Sequence, residues 1–305
     1  MTPRVLAVVG PTASGKSALA VAIARRLPAA EVVGTDSMQV YRGMDIGTAT
    51  PSAQEQAGIA HHLIDVWEPD HAVTVAEFQA SARSAIDGVA ARGAVPIVVG
   101  GSGLYVSAVL DDLRFPGTDA IVRQRLEADL ADVGPERMHE RLAAVDPDAA
   151  EAILPTNGRR IVRALEVIEL TGGPFVARLP VPIDVYDTVR IGLDIPRDDL
   201  DERIAQRVDR MWTDGFVEEV RRLEESGLSS TPTAARALGY AQVLDAHAGR
   251  ITEDEARPLT VDATRRFARR QQRWFRRDPR IAWIRYDSPE AVDEALAAWG
   301  SETST

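Results

Sequence analysis

Apolar residues in the first third of the chain fall into short continuous runs separated by glycine-rich turns. Val5–Val9, Glu31–Val33 and Pro96–Val99 predict strands, and uninterrupted runs of this kind mark parallel strands buried on both faces. Between them, Ser17–Leu27 and Thr74–Arg92 carry apolar positions at helical spacing, which gives the alternation of an α/β layer. From about Thr118 the texture changes: IVRQRLEADLADVGPERMHERLAAVDPDAAEAIL is helical in period and holds no strand signal. Arg159–Leu170 continues it and stops at the helix-ending Thr171-Gly172-Gly173-Pro174. Val189–Ile195 then predicts a strand returning to the sheet. Helices follow at Asp199–Ser226, about Ala235–His247 and Glu253–Arg277, and Ile281–Tyr286 predicts a last strand.

Composition narrows the picture little. The 305 residues, 45% hydrophobic and 27% charged, are those of an ordinary globular protein of one large or two small domains. No run of 18 uncharged apolar residues is present, so no membrane span is expected, and MTPRVLAVVGP lacks the features of a signal peptide. Cysteine is absent, which removes disulfides and thiolate chemistry. The working expectation is a cytoplasmic monomer. A net charge of −11 argues against a nucleic-acid partner until its distribution is read: residues 265–280, RRFARRQQRWFRRDPR, hold eight arginines against the single acid Asp278. Phosphate neutralisation needs cations only at the footprint. Lys16 is the one lysine among 35 basic residues, which marks a position where arginine does not substitute.

That lysine lies in Gly10-Pro11-Thr12-Ala13-Ser14-Gly15-Lys16-Ser17, a complete G-x-x-x-x-G-K-[ST] between an apolar strand and a helix. Gly10 and Gly15 permit a loop that wraps a polyphosphate with its amides inward. Lys16 supplies a compact charge, the Ser17 hydroxyl is a ligand for Mg²⁺, and the helix from Ser17 adds its dipole. The expected fold class is therefore α/β, a P-loop NTPase-like parallel-sheet core flanked by helices. Residues 1–116 and 188–305 would form the core and its C-terminal helices, and residues 117–187 an all-helical insertion domain. A P-loop by itself denotes a phosphate ligand such as ATP and leaves the reaction open.

Asp36, Ser37, Met38 and Gln39 follow the second strand, at the sheet edge where open α/β folds bind ligands. A carboxylate there can take a proton or hold a metal; it can equally be an Asx-turn residue. The segment DSMQVYRGMDIGTA at 36–49 resembles the hallmark run of the tRNA dimethylallyltransferase family. The resemblance extends through GGSGLY at 100–105, DPDAAEAILPTNGRRIVRALEV at 146–167, ALGYAQ at 237–242 and ATRRFARRQQRWFRR at 263–277. It implies prenyl transfer from dimethylallyl diphosphate to the exocyclic amine of the adenosine 3′ of the anticodon, in tRNAs reading codons that begin with U.

By the same resemblance, Asp36 is the general base, and Lys16 with residues 10–17 and Mg²⁺ holds the diphosphate. Ser102, where the family more often has threonine, lies near the leaving group and the base. Ser37, Met38 and Gln39 contact target nucleotides. Arg123, Arg159, Arg160, Arg163, Arg236, Gly239, Tyr240, Arg269 and Arg273 are carried over as contacts to the tRNA anticodon stem-loop. This chain reads Pro155-Thr156-Asn157-Gly158 where the family has Pro-Asn-Asp, which weakens the transfer at Asn157. Helical spacing alone puts Arg265, Arg269, Arg273 and Arg277 on one stripe, either an RNA face or a salt-bridged one. Tyr240 is equally a core residue, and the adjacent His61 and His62 cannot readily turn onto one metal.

Rival readings are a small-molecule P-loop kinase, a prenyltransferase acting on free AMP or ATP, and an RNA-binding protein with a structural nucleotide site. The third strand ends in Val99-Gly100-Gly101 without the acid a kinase uses there. Free nucleotides would leave the helical insert and Arg265–Arg277 without a task. The combination of Lys16, Asp36 and Ser102 opposes a purely structural site.

Overall fold

A computed structural model describes residues 2–177 and 180–301. In chain order the elements are β1 (Arg4–Val9), α1 (Lys16–Ala24), β2 (Ala30–Gly34), α2 (Ala53–Gln56), β3 (His61–His62), α3 (Val75–Ala91), β4 (Val95–Gly100) and α4 (Gly103–Leu110). Three helices follow: α5 (Ala120–Val145), α6 (Pro147–Ala152) and α7 (Gly158–Thr171). The chain then forms β5 (Asp187–Asp194), α8 (Arg197–Thr213), α9 (Phe216–Glu225), α10 (Tyr240–His247), α11 (Glu253–Phe275), β6 (Ile281–Arg285) and α12 (Ala291–Ser301). Among the described residues no helix is long and apolar enough to cross a membrane.

The strands make one sheet in the order β3-β2-β4-β1-β5-β6, with every pairing parallel. Its centre is apolar on both faces, as continuous apolar runs require. Val5, Ala7 and Val9 join a cluster with Phe78, Val109 and Phe275. Leu6 and Val8 join Leu19, Ile23 and Ala295 on the opposite face. Leu6 and Val8 are 0% exposed, so truncating Leu6 to alanine would cost about 2–5 kcal/mol. The register aligns Val9 with Gly100, and Gly34 with Val99. The loops leaving β1, β2 and β4 therefore emerge side by side at the carboxyl edge of the sheet.

The chain divides into two compact units, Met1–Asp111 with Asp184–Thr305, and Asp112–Ile183. The second unit is helical and packs Leu126, Met138, Leu142, Ile161 and Leu165 into its own core. Its edges fall a few residues earlier than the expected 117–187. The reason lies at the crossing points: Asp111 and Asp184 form an antiparallel bridge that extends the core unit by one rung. Buried Arg190 reaches the carboxylates of both, and Arg280 bonds Asp111 at 2.8 Å and Asp184 at 3.1 Å. Asp278 holds Arg280 in turn, at 2.7 Å.

Other departures from the sequence reading have local causes. The helix expected over Asp199–Ser226 is two helices, because Gly215 is left-handed at φ 94 and turns the chain between α8 and α9. The helix expected from about Ala235 begins at Tyr240, behind a short 3₁₀ turn over Ala234–Arg236. α5 is kinked at Gly134, ahead of Pro135. The two-residue strand β3 and the helices α2 and α4 are too short to carry a clear period; α12, of 11 residues, is a further helix that the sequence reading does not include.

Candidate functional site

The phosphate loop sits between β1 and α1, and its shape follows from its small residues. Gly15 is left-handed at φ 97, and Ala13 also turns left at φ 63. A Cβ on Gly10 would come within 3.0 Å of Ser14 Oγ. α1 has no side-chain cap and no acidic residue in its first turn, so its leading amides are available to an anion. Ser14 Oγ is buried without a hydrogen-bond partner. An orphaned hydroxyl beside the uncapped leading amides of α1 is a ready donor to a phosphate oxygen. Ser17 is exposed at the head of α1.

Lys16 donates to Pro11 O at 3.3 Å. Burial pulls its ammonium down to about 8, with Asp36 opposing the shift and Arg207 reinforcing it. A bound diphosphate would replace the lost hydration with a charged partner and restore the cation. A Cβ on Gly101 would lie 3.4 Å from Lys16 Nζ, so the bare glycine after β4 lets the lysine reach this edge.

Three side chains that the sequence reading missed grip the loop from outside. Arg207 on α8 donates to Thr12 Oγ1 at 2.6 Å and to Thr48 O at 3.2 Å. Burial lowers the pKa of its guanidinium, and the nearby Asp36 offsets part of that. Arg203, one turn earlier, donates to Ala13 O at 2.8 Å. Gln271 on α11 accepts from the Thr12 N–H at 2.9 Å. Gln271 lies on the buried face of α11 with Thr260, Thr264, Ala268 and Phe275, where a polar side chain needs a partner.

Asp36 stands just beyond β2. Its Oδ1 accepts the Met38 N–H at 2.9 Å, so the Asx turn weighed as an alternative is present. One oxygen serves the turn and the other keeps its acceptor capacity, so the turn does not exclude a basic role. Asp36 also acts electrostatically on both Lys16 and Arg207. Gln39 spends its amide on Thr48 O at 3.3 Å and Ala49 O at 3.1 Å, bracing its own loop. Ser37 and Met38 beside it are half-buried. Ser102 occupies the N-cap position of α4 but makes no capping bond with its hydroxyl.

The expected RNA contacts divide. Tyr240 is 0% exposed, edge-on to Phe216, and donates to Glu219 at 2.6 Å. It is a core residue with no surface to offer RNA, which corrects its placement as a contact. Gly239 is likewise buried, whereas Arg236 is exposed. The stripe on α11 divides: Arg265 and Arg269 lie within 4.0 Å of Asp201, the salt-bridged alternative, Arg273 is exposed, and Arg277 falls beyond the helix end. Arg266, Arg270, Arg273, Arg276 and Arg277 are exposed, Arg276 while bonded to Asp194. Trp274 packs against the core, and Phe267 lies under Arg270.

In the helical unit, Arg159 and Arg160 are exposed, and Asn157 caps α7 through the Arg160 N–H at 3.2 Å. Arg123 and Arg163 both bind Glu166, which is 0% exposed. Burial raises the Glu166 pKa, but these two arginines outweigh it and hold the carboxyl below its usual range. Removing both would strand a buried charge at a cost of about 3–5 kcal/mol, so the pair has a structural role whatever else it touches. His61 and His62 bind Ile59 O and Glu31 separately, and no group of three or more His, Asp or Glu fit to hold a metal occurs among the described residues.

A parallel sheet whose first strand opens into this loop, with a carboxylate and a free hydroxyl on the neighbouring loops, defines a P-loop α/β protein built for a phosphate-bearing ligand. Comparison with known proteins narrows the class. The family model described as IPP transferase matches residues 39–278. The tRNA dimethylallyltransferase of Thermobifida fusca (strain YX) is 61% identical over 297 residues, 96% of this chain and 93% of the relative, so the likeness also takes in the phosphate loop. That of Streptomyces avermitilis is 63% identical over 282 residues, 92% of this chain and 90% of its own. The full-length tRNA isopentenylpyrophosphate transferase of Bacillus halodurans matches in structure with a TM-score of 0.73 at 39% identity, covering 98% of this chain and 96% of that one. A eukaryotic dimethylallyltransferase solved acting on tRNA shares the fold, with a TM-score of 0.81 at 24% identity over 99% of this chain and 77% of that one. The chain belongs to the IPP transferase family.

Proposed function

We propose that this protein transfers the dimethylallyl group of dimethylallyl diphosphate to the exocyclic amine of the tRNA adenosine 3′ of the anticodon, in tRNAs reading codons that begin with U. The observation that carries the reading is the meeting of Lys16, Asp36 and Ser102 at one sheet edge, in a chain of this family. The C1–O bond of the donor breaks and a bond from the amine nitrogen to C1 forms. Asp36 takes the proton that the amine gives up, and diphosphate departs. Lys16, Arg207, Ser14 and the leading amides of α1 are placed to bind the charge that grows on the leaving group. Ser102, with its hydroxyl uncommitted, is placed to bond the diphosphate or the base.

Ser17, exposed at the head of α1, would hold Mg²⁺ together with the donor's diphosphate, where the ion would neutralise charge on the leaving group. On the acceptor side, unstacking the adenosine costs a few kcal/mol, offset by phosphate and stacking contacts in the anticodon loop. Ser37, Met38, Gln39, Arg236, Arg273 and the other exposed arginines of α11 suit those contacts, as do Arg159 and Arg160. We propose further that it acts in the cytoplasm as a monomer. Incubation with labelled dimethylallyl diphosphate and unmodified tRNA, followed by digestion to nucleosides, tests it. Labelled adenosine from tRNA is the expected product. Label only on added AMP, or ATP turnover without prenyl transfer, would refute it.

A further inference from the structure

The loop that carries Asp36 and Gln39 is held by a carboxylate in the core. Glu219 on α9 is 2% exposed and pairs with no arginine among the described residues. Its Oε2 accepts the N–H groups of Asp45 at 3.1 Å and Ile46 at 2.8 Å. Its Oε1 accepts the Gly47 N–H at 3.2 Å and the Tyr240 hydroxyl at 2.6 Å. A carboxylate withdrawn from water without a cation is tolerated only when such donors surround it, so these partners are obligatory. Successive amides turned onto one anion make the backbone of residues 45–47 a fixed cradle.

Packing enforces the same geometry. A Cβ on Gly47 would lie 2.3 Å from the Tyr240 ring and 2.4 Å from Phe216, so the backbone rests directly on both rings. Burial, with the Glu219 charge adding to it, pushes the Tyr240 phenol far upward, so it stays a donor across the working pH range. From the next residues the connection runs outward. Thr48 O accepts from Gln39 at 3.3 Å and from Arg207 at 3.2 Å, and Arg207 also holds Thr12 of the phosphate loop. One short segment thus joins a core anion to Gln39 on one side and to the donor loop on the other.

We infer that Glu219, supported by Tyr240, is a positioning residue for the acceptor side of the reaction, fixing the backbone from which Gln39 and Asp36 meet the target nucleotide. The inference rests on the function proposed above. It also explains how a buried tyrosine serves a tRNA reaction without touching tRNA.

Glu219→Gln tests it by turning an amide NH₂ towards N–H groups, and Tyr240→Phe by removing one donor while keeping the ring. Steady-state kinetics with both substrates would be compared with inorganic diphosphate binding by calorimetry on the same preparations. Glu219→Gln should raise the KM for tRNA or lower kcat by roughly 10–100-fold, the scale of a misplaced reacting group. Tyr240→Phe should move the same parameter by about 2–10-fold, the worth of one hydrogen bond. Diphosphate affinity should stay within about threefold in both, since the phosphate loop keeps its own contacts. A merely structural role predicts a lower Tm and a smaller active fraction with kcat per active site and both KM values unchanged, and that result would overturn the inference. If Glu219→Gln does not fold, Tyr240→Phe decides alone: unchanged KM and kcat in the folded variant overturn it. Wild-type protein is the control, since its failure to prenylate tRNA would refute the proposed function rather than the role of Glu219.

Discussion

Lys16→Met should stabilise the protein while abolishing its activity. The fold draws the Lys16 pKa from 10.5 to about 8, chiefly by burial. A lysine whose folded pKa lies below its unfolded value weakens the fold wherever it is charged. The penalty is complete at pH 7, shrinks between pH 8 and 10.5, and vanishes above that. A gap of about 2.5 pH units corresponds to about 3 kcal/mol. Methionine also forfeits the 3.3 Å bond to Pro11 O, worth about 1 kcal/mol, so the net gain at pH 7 is about 1–3 kcal/mol. For a chain of this size that is a rise in Tm of roughly 2–6 °C. Prenyl transfer should fall by at least about 10³-fold, since the developing charge on diphosphate loses its nearest cation. Thermal melts of both proteins at pH 7, 8, 9 and 10 without diphosphate give the test. The Tm difference should narrow as pH rises. Adding diphosphate at pH 7 should raise the Tm of the wild type alone. A variant no more stable than wild type at pH 7, or a difference that stays constant to pH 10, would refute the reasoning.

Three further outcomes follow from the site. Asp36→Asn should keep tRNA affinity but slow single-turnover transfer by about 10²–10⁴-fold, and an unchanged rate would reduce Asp36 to its turn with Met38. Arg207→Lys should raise the KM for the donor by roughly tenfold, because an ammonium cannot span Thr12 Oγ1 and Thr48 O together; steady-state titration of dimethylallyl diphosphate reads it. Replacing exposed Arg270, Arg273 and Arg277 by glutamine should flatten the dependence of log K on log salt for tRNA, by up to roughly 0.7–0.9 per lost phosphate contact. If the slope holds and only the Tm falls, those arginines belong to the fold.

The core strands were legible because a parallel sheet covered on both faces needs apolar runs; β1 and β4 supply unbroken ones, β2 a short one, and β5 one interrupted by Arg190. The phosphate loop was legible because its chemistry lies within eight consecutive residues. Arg203, Arg207 and Gln271 were not, since what recruits them is proximity across 190, 195 and 259 positions of chain. The division of the arginine stripe was hidden for a related reason. Spacing shows which residues share a face, but Asp201 on another helix decides which arginines are occupied. Tyr240 was misassigned because a family motif reports that a residue matters without saying whether it touches the substrate or holds what does.

The bridge between Asp111 and Asp184 has a consequence for how such a chain can change over generations. The helical unit leaves and re-enters at adjacent backbone positions, and Arg190 and Arg280 close that gateway from within the core. Joining the ends of a flexible segment of that length costs on the order of 4 kcal/mol, and the cost grows only with the logarithm of length. Residues can therefore be added to or deleted from the insert with little effect on closure, while β5 stays in register beside β1. The gateway lets a lineage remodel its helical attachment as a cassette, with the catalytic edge of the sheet inherited unchanged.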